Sequence, residues 1–393
     1  MPKTASSIDR RWAGAGASTD ADSFRAGAAA AAQACGGRRA SALIAFVADG
    51  HDLDALVAGV SEAAPGVPLV GCTTAGEITS SSAGSTGVVV FALGGDGFAT
   101  SSGVATSASR DLRAAGAKAA GAALARCNGE HRVLMLLTDG LAGDQQEVVR
   151  GAYSVAGAGV PLVGGCAGDD LRMQGTRQIH RQRVLTDSVV ALAIGSDAPI
   201  GIGVRHGWQK VGEPMVVTRA AGVRVQSLDD RPALDVYLER LAPPAKAFCD
   251  PAAFTQFALT HPLGLERRGG EAIRFVAGAD FERRELVCIA EVPEGGLAYL
   301  MEGDADSVLS AADDACRDAL DQLEGRPALG LLAFDCIARR GILGEEGLGQ
   351  EVVRLAANSS GAPLAGFYTY GEFARTQGVS GFHNQTLVVL ALS

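Results

Sequence analysis

Residues Gly361-Ala-Pro-Leu-Ala-Gly-Phe-Tyr-Thr-Tyr-Gly-Glu372 belong to a stretch that occurs three times in altered form. The first copy is Gly66-Val-Pro-Leu-Val-Gly-Cys-Thr-Thr-Ala-Gly-Glu77. The second, one residue shorter, is Gly159-Val-Pro-Leu-Val-Gly-Gly-Cys-Ala-Gly-Asp169. Each reads as a short apolar strand opened by Pro and ended by Gly. A glycine-punctuated loop with an acidic residue follows, a backbone suited to closing on something at short range.

The repeat is longer than the motif. Upstream of each copy lies an apolar run with a polar end: 42–49, 133–139 and 329–335. An amphipathic segment separates run and motif, at 52–64, 144–157 and 347–358. Another apolar run follows the motif, at 88–93, 189–194 and 387–392, and a predicted helix precedes each unit, at 20–36, 109–127 and 306–324. The fold class expected is α/β with mixed α+β character: repeated helix-strand-helix-strand-strand units, mixed sheets and packed helices, in two domains. The strand–helix–strand core of each unit predicts a parallel pair, and the next run an antiparallel return. Asp20, Asp22 or Ser23 is placed to cap the first helix. Gly94-Gly-Asp-Gly97 predicts a hairpin-like turn into a strand near Phe98–Val104, and Gly195-Ser-Asp-Ala198 its counterpart before Ile200–Val204.

The chain has 393 residues, 47% of them hydrophobic and 20% charged, enough for two or three domains with real cores. The net charge of −10 disfavours nucleic acid and anionic membranes as partners. No apolar run reaches the roughly 18 residues that span a bilayer, so no membrane insertion is expected. Met1–Thr19 carries Lys3, Arg10 and Arg11 but no apolar core and reads as a disordered tail, residues 1–19. The eight cysteines are scattered without a C-x-x-C pair, which suits a reducing cytoplasm better than a disulfide framework or a zinc site.

Between copies two and three the pattern changes. Asp229–Leu241 predicts a helix stopped by Ala242-Pro-Pro244, and runs near Ile273–Val276 and Leu286–Ala290 predict paired strands. The expected division is a first domain over 20–210, a linker over 211–222 and a second domain over 223–393.

At this point the chain resembles a known family. Pro68-Leu-Val-Gly-Cys-Thr-Thr-Ala-Gly-Glu77 resembles the signature of FIST N domains. Ser227–Tyr237, His261-Pro-Leu-Gly264, Phe334–Arg340, Gly366–Glu372 and Phe382-His-Asn-Gln-Thr386 resemble FIST C. The resemblance covers about 25–393 and implies a bacterial sensory protein for small ligands, proposed to include amino acids, working with a histidine kinase, a cyclic-dinucleotide enzyme or a chemoreceptor. Some members bind haem and sense nitric oxide. No such output region is fused here, so signalling is expected to pass through a separate partner.

Ligands of open α/β sheets sit beyond the carboxyl ends of strands. There the sequence places Thr73, Thr74, Glu77, Cys166, Asp169, Asp170, Tyr368, Tyr370 and Glu372. Arg339 and Arg340 follow the third strand with a fork suited to a carboxylate, and with Glu372 are expected to hold both ends of an amino acid. Cys336, His383 and Asn384 complete the expected ligand set. Against this stand plainer readings: Glu77 and Glu372 as acceptors within tight turns, Arg339 in an internal ion pair, Cys72, Cys166 and Cys336 as packing. For haem, an axial histidine in an apolar pocket is needed, with His383, His206 and His180 as the candidates. No P-loop, G-x-S-x-G or H-E-x-x-H motif occurs, so an enzyme acting on a polar metabolite is the less favoured alternative.

Overall fold

The computed structural model describes residues 11–84, 87–267, 270–376 and 381–393. The first unit runs β1 (Trp12–Ser18), α1 (Ser23–Cys35), β2 (Ala42–Val47), α2 (Leu53–Ala63), β3 (Leu69–Thr73), a small hairpin β4 (Glu77–Thr79) and β5 (Ala83–Gly84), then β6 (Val88–Gly94). The second runs β7 (Phe98–Thr106), α3 (Leu112–Leu124), β8 (His131–Thr138), α4 (Gln145–Ala156), β9 (Leu162–Cys166), β10 (Gln178–His180), β11 (Arg183–Leu185) and β12 (Ser188–Ser196). The third opens with β13 (Ile200–Arg205) and is then interrupted by an insertion. The insertion holds β14 (Gln209–Ala221), β15 (Arg224–Leu228), β16 (Arg231–Pro232), α5 (Ala233–Leu241), α6 (Pro251–Ala258), β17 (Leu263–Arg267), β18 (Gly270–Arg274), β19 (Val276–Asp280), β20 (Glu285–Cys288) and β21 (Leu297–Glu302). The third unit resumes with α7 (Ala305–Asp321), β22 (Gly330–Cys336), α8 (Ile337–Asn358), β23 (Leu364–Thr369), β24 (Glu372–Arg375), β25 (Phe382–His383) and β26 (Leu387–Leu392).

The three sheets share one strand order: β1-β6-β2-β3, β7-β12-β8-β9 and β13-β26-β22-β23. In each, the strand pair around the helix is parallel and the last strand returns antiparallel. The small hairpin after each motif is exchanged. β4–β5 of the first unit extends the third unit's sheet, β10–β11 of the second extends the first, and β24–β25 of the third extends the second. Three equivalent units are thus interlocked in a ring. Their inner sheet faces share one core, in which Phe46 stacks on Phe367 at 4.6 Å and meets Phe334 edge-on at 6.3 Å.

Aspartates start most of the helices. Asp22, Asp52, Asp111 and Asp144 each accept a backbone N–H of the first turn, and Asp304 forms a capping box with Ser307. Helix pairs cross at glycine. A Cβ on Gly59 would lie 2.0 Å from the Phe24 carbonyl oxygen, and one on Gly151 1.9 Å from that of Arg113. The Ala-rich helices pack this closely against their partners.

Several expectations need correction. β7 does not form a hairpin with β6, because β6 is already flanked by β1 and β2; β7 pairs with β12 instead. For the same reason β13 leaves β12 and pairs with β26. Residues 12–18, expected in a disordered tail, form an edge strand of the first sheet; residues 1–10 lie outside the described residues. Residues 211–222, expected as a linker, are almost entirely β14, which pairs with β15 and β21. β13, placed by sequence in the first domain, belongs to the sheet of the third unit. The run near Ile273–Val276 is divided at Phe275: β18 pairs with β17, and β19 takes β20. The helix expected at 347–358 begins at Ile337 and breaks at Gly344, whose φ of 59° interrupts it.

Candidate functional site

The three motif loops close on each other. The Ala75 N–H donates to the Tyr368 carbonyl at 2.9 Å and the Tyr368 N–H to that of Gly76 at 2.7 Å. The Cys166 N–H donates to the Gly371 carbonyl at 2.8 Å, and the Gly168 N–H to that of Thr73 at 3.0 Å. Small residues are needed here, since a Cβ on Gly165 would lie 2.5 Å from the Thr369 methyl group.

Within this knot the first and third loops repeat one device. The Thr369 hydroxyl donates to Glu372 Oε1 at 2.5 Å and accepts the Gly371 N–H at 3.1 Å. Thr386 donates its N–H and its hydroxyl to Glu372 Oε2 at 3.2 and 2.8 Å. In the first loop the Thr74 hydroxyl donates to Glu77 Oε1, and the Gly87 N–H to Oε2 at 3.1 Å. Burial pushes both carboxyl groups up, to about 7 in each case, and these donors offset only part of it. Thr73 is tied to Arg177, whose N–H it accepts at 2.9 Å. In the second loop Asp169 accepts the N–H groups of Met173, Gln174 and Gly175 and the Tyr370 hydroxyl. Burial opposes the Asp169 charge, but these donors outweigh it and lower its pKa. Glu77 and Glu372 are thus held by threonine hydroxyls together with the N–H groups of Gly87 and Thr386.

Arg339 lies fully buried and does not face Glu372. Its guanidinium donates to Asp335 at 2.6 Å, to Glu351 at 2.9 Å and to the carbonyls of His206 and Val308. Tyr368 donates its hydroxyl to the other Glu351 oxygen at 3.0 Å. The expected clamp of Arg339 and Arg340 with Glu372 on an amino acid is thus not formed; Arg339 pairs with Asp335 and Glu351 instead, although burial outweighs it and pushes Asp335 up. Arg340 reaches the Ala75 carbonyl and Asp170, which binds the third unit to the first two loops. Burial raises the Cys72, Cys166 and Cys336 thiols, so each stays protonated; Cys336 also hydrogen bonds to Glu372.

The histidines lie apart from one another in role. His180 Nε2 meets the Ser102 hydroxyl at 3.1 Å. His206 Nδ1 accepts the Trp208 N–H at 2.9 Å, and its Nε2 stands 3.7 Å from Glu271. His383 Nε2 donates to the Ala374 carbonyl at 2.9 Å, which leaves Nδ1 as an acceptor. Burial lowers His206 and His383 to about 4, with the Arg339 charge acting on the first and Arg274 on the second, so both are neutral at pH 7.

One expected residue behaves differently. Asn384 is 1% exposed, and neither its amide nitrogen nor its amide oxygen has a hydrogen-bond partner. Its neighbour Gln385 donates to the Leu259 carbonyl at 2.6 Å, yet its Oε1 is also unpaired. The corner is built where the insertion meets the third unit: Trp208 donates its indole N–H to the Gln385 carbonyl at 3.1 Å. A Cβ on Gly371 would stand 3.5 Å from the Asn384 amide nitrogen, which places Asn384 against the third motif loop. Buried amides are nearly always paired, and Asn384 is an exception. The sequence named Asn384 but carried no sign of its isolation. Glu351, by contrast, was missed although a sign existed: it interrupts the apolar stripe of Leu348, Val352 and Leu355 on α8.

Comparison with protein families matches a FIST N domain over residues 41–231 and a FIST C domain over 233–375. The chain belongs to the FIST family. FIST domains are sensory domains that bind small ligands. Curated relatives of this FIST protein are uncharacterized. One from Methanocaldococcus jannaschii is 28% identical over 171 residues, covering 41% of this chain and 33% of that protein. One from Mycobacterium tuberculosis is 29% identical over 237 residues, covering 58% of this chain and 60% of that protein. One from Mycobacterium bovis is 27% identical over the same length, covering 58% and 59%. The match thus spans a third to three-fifths of these relatives. No helix among the described residues is long and apolar enough to cross a membrane.

Proposed function

We propose that this FIST protein is a cytoplasmic sensor that binds a small polar metabolite of the amino-acid type at the Asn384 corner and signals through a separate protein partner. The observation that carries this reading is the buried Asn384 amide with both polar ends unpaired. An amide donates to a carboxylate and accepts from an ammonium group, the two ends of an amino acid. His383 Nδ1, neutral and an acceptor, belongs to the same chain segment. The corner joins the insertion to the ring of repeats, so a ligand bound there couples two bodies. Signalling then requires that the ligand bind one arrangement of the two more tightly than the other.

The test is isothermal titration with a panel of amino acids, on the wild-type protein and on Asn384→Leu. One compound saturating the wild type and weakened about tenfold or more in the variant supports the reading, since loss of hydrogen bonds to a charged ligand group is worth roughly 1.5–3 kcal/mol. Silence across the panel with a folded protein counts against it.

A further inference from the structure

At the opposite end of the first sheet from the motif loops lies an open surface pocket of about 630 Å³. Trp12, Arg38, Arg39, Gly66 to Pro68 and Asp96 line it. A smaller cavity of about 170 Å³ shares the Gly66–Pro68 wall and continues to Arg181 and Gln182. Together they make a groove with arginine at both ends, of the size that holds a small molecule.

Arg38, Arg39 and Arg181 flank this groove at exposed positions. Among the described residues, none of Arg38, Arg39 and Arg181 has a carboxylate partner within ion-pair distance. Elsewhere among the described residues, Arg11 pairs with Asp197 and Arg172 with Asp49. The Arg38 guanidinium is held flat over the Trp12 ring, 3.9 Å from its centroid, which fixes its fork without neutralising its charge. Arg181 sits at a turn with φ of 59°, and its N–H is anchored to the Leu69 carbonyl at 2.6 Å. It reaches this groove only because β10–β11 of the second unit is exchanged into the first sheet.

We infer that this groove is a binding site for a small molecule bearing at least two anionic groups, carboxylate or phosphate. Arg38 and Arg39 take one group and Arg181 the other. Asp96, also in the lining, takes a hydroxyl or ammonium group of the same molecule. The site is independent of Asn384 and is built from two repeats, so an anion there ties the first and second units together.

Citrate and inorganic pyrophosphate serve as probes, titrated calorimetrically into the full chain. The expected result is saturable binding of at least one, falling as salt rises. The identity of the stronger probe tells carboxylate from phosphate. Arg39→Ala and Arg181→Ala, both at exposed positions, each weaken binding about tenfold, while Asn384→Leu leaves it unchanged. Failure of both probes to saturate overturns the inference, as does binding that neither arginine substitution alters. Saturation by a poly-glutamate peptide in place of both small anions also overturns it, and assigns the groove to an acidic protein segment.

Discussion

The motif loops and the 384–385 corner are adjacent, yet they treat polar groups in opposite ways. In the loops every carboxylate is answered: Glu372 by two threonines, Glu77 by Thr74 and Gly87, Asp169 by three backbone N–H groups and Tyr370. At the corner the Asn384 amide and Gln385 Oε1 go unanswered. The repeated residues therefore mark what holds the ring together. The unrepeated Asn384 is not held in this way.

Predictions that test this contrast start with the buried ion cluster. Arg339→Met leaves Asp335 and Glu351 without their cation, and is expected to destabilise the fold by about 3–5 kcal/mol. Chemical denaturation measures it, and a loss below about 1 kcal/mol would mean that the two acids carry little charge.

The loop carboxylates should next appear in the pH dependence of stability. Folding raises Glu372 from its ordinary 4.5 to about 7, and Glu77 likewise. The folded state then holds more protons than the unfolded state between these values. Stability is greatest below about 4.5 for these groups and is lost as pH rises through 7. At about 1.4 kcal/mol per pH unit, each group accounts for about 3 kcal/mol. Denaturation midpoints at pH 5 and pH 8 are compared in wild type and Glu372→Gln, which mimics the protonated acid. The variant is expected to have a shallower profile; an unchanged slope would detach Glu372 from the effect.

Removal of a loop carboxylate outright should cost less. Glu372→Ala is expected to lose about 2 kcal/mol and Glu77→Ala somewhat less, because Glu372 accepts from more donors. Equal losses would show that the donors find water instead. The smallest effect has the opposite sign. Asn384→Leu removes two unanswered polar atoms at similar volume, and is expected to stabilise the ligand-free protein by about 1 kcal/mol. Destabilisation would show that Asn384 is a structural residue.

Much of the ring was legible in sequence. The apolar runs, their spacing and the Pro-to-Gly motif located three units and the parallel pair in each. The exchange of hairpins was not legible. β4 is three residues long, Glu77–Thr79, and its partner Ala365–Phe367 lies almost three hundred positions away, so no local pattern records the pairing. The direction of β7 was hidden for a related reason: a turn sequence shows that the chain reverses, but not that both edges of β6 are taken. At the site, residue type was legible and satisfaction was not. Glu372 and Asn384 both read as ligand groups, and only the neighbours supplied by Thr369, Thr386 and the insertion separate them.

The most direct measurement is calorimetric titration of the amino-acid panel into wild type and Asn384→Leu side by side, with thermal unfolding of both ligand-free proteins as the control for folding. The expected result is one saturating ligand for the wild type, bound about tenfold or more weakly by a variant that is at least as stable. A ligand that binds both proteins equally would contradict the assignment of the Asn384 corner.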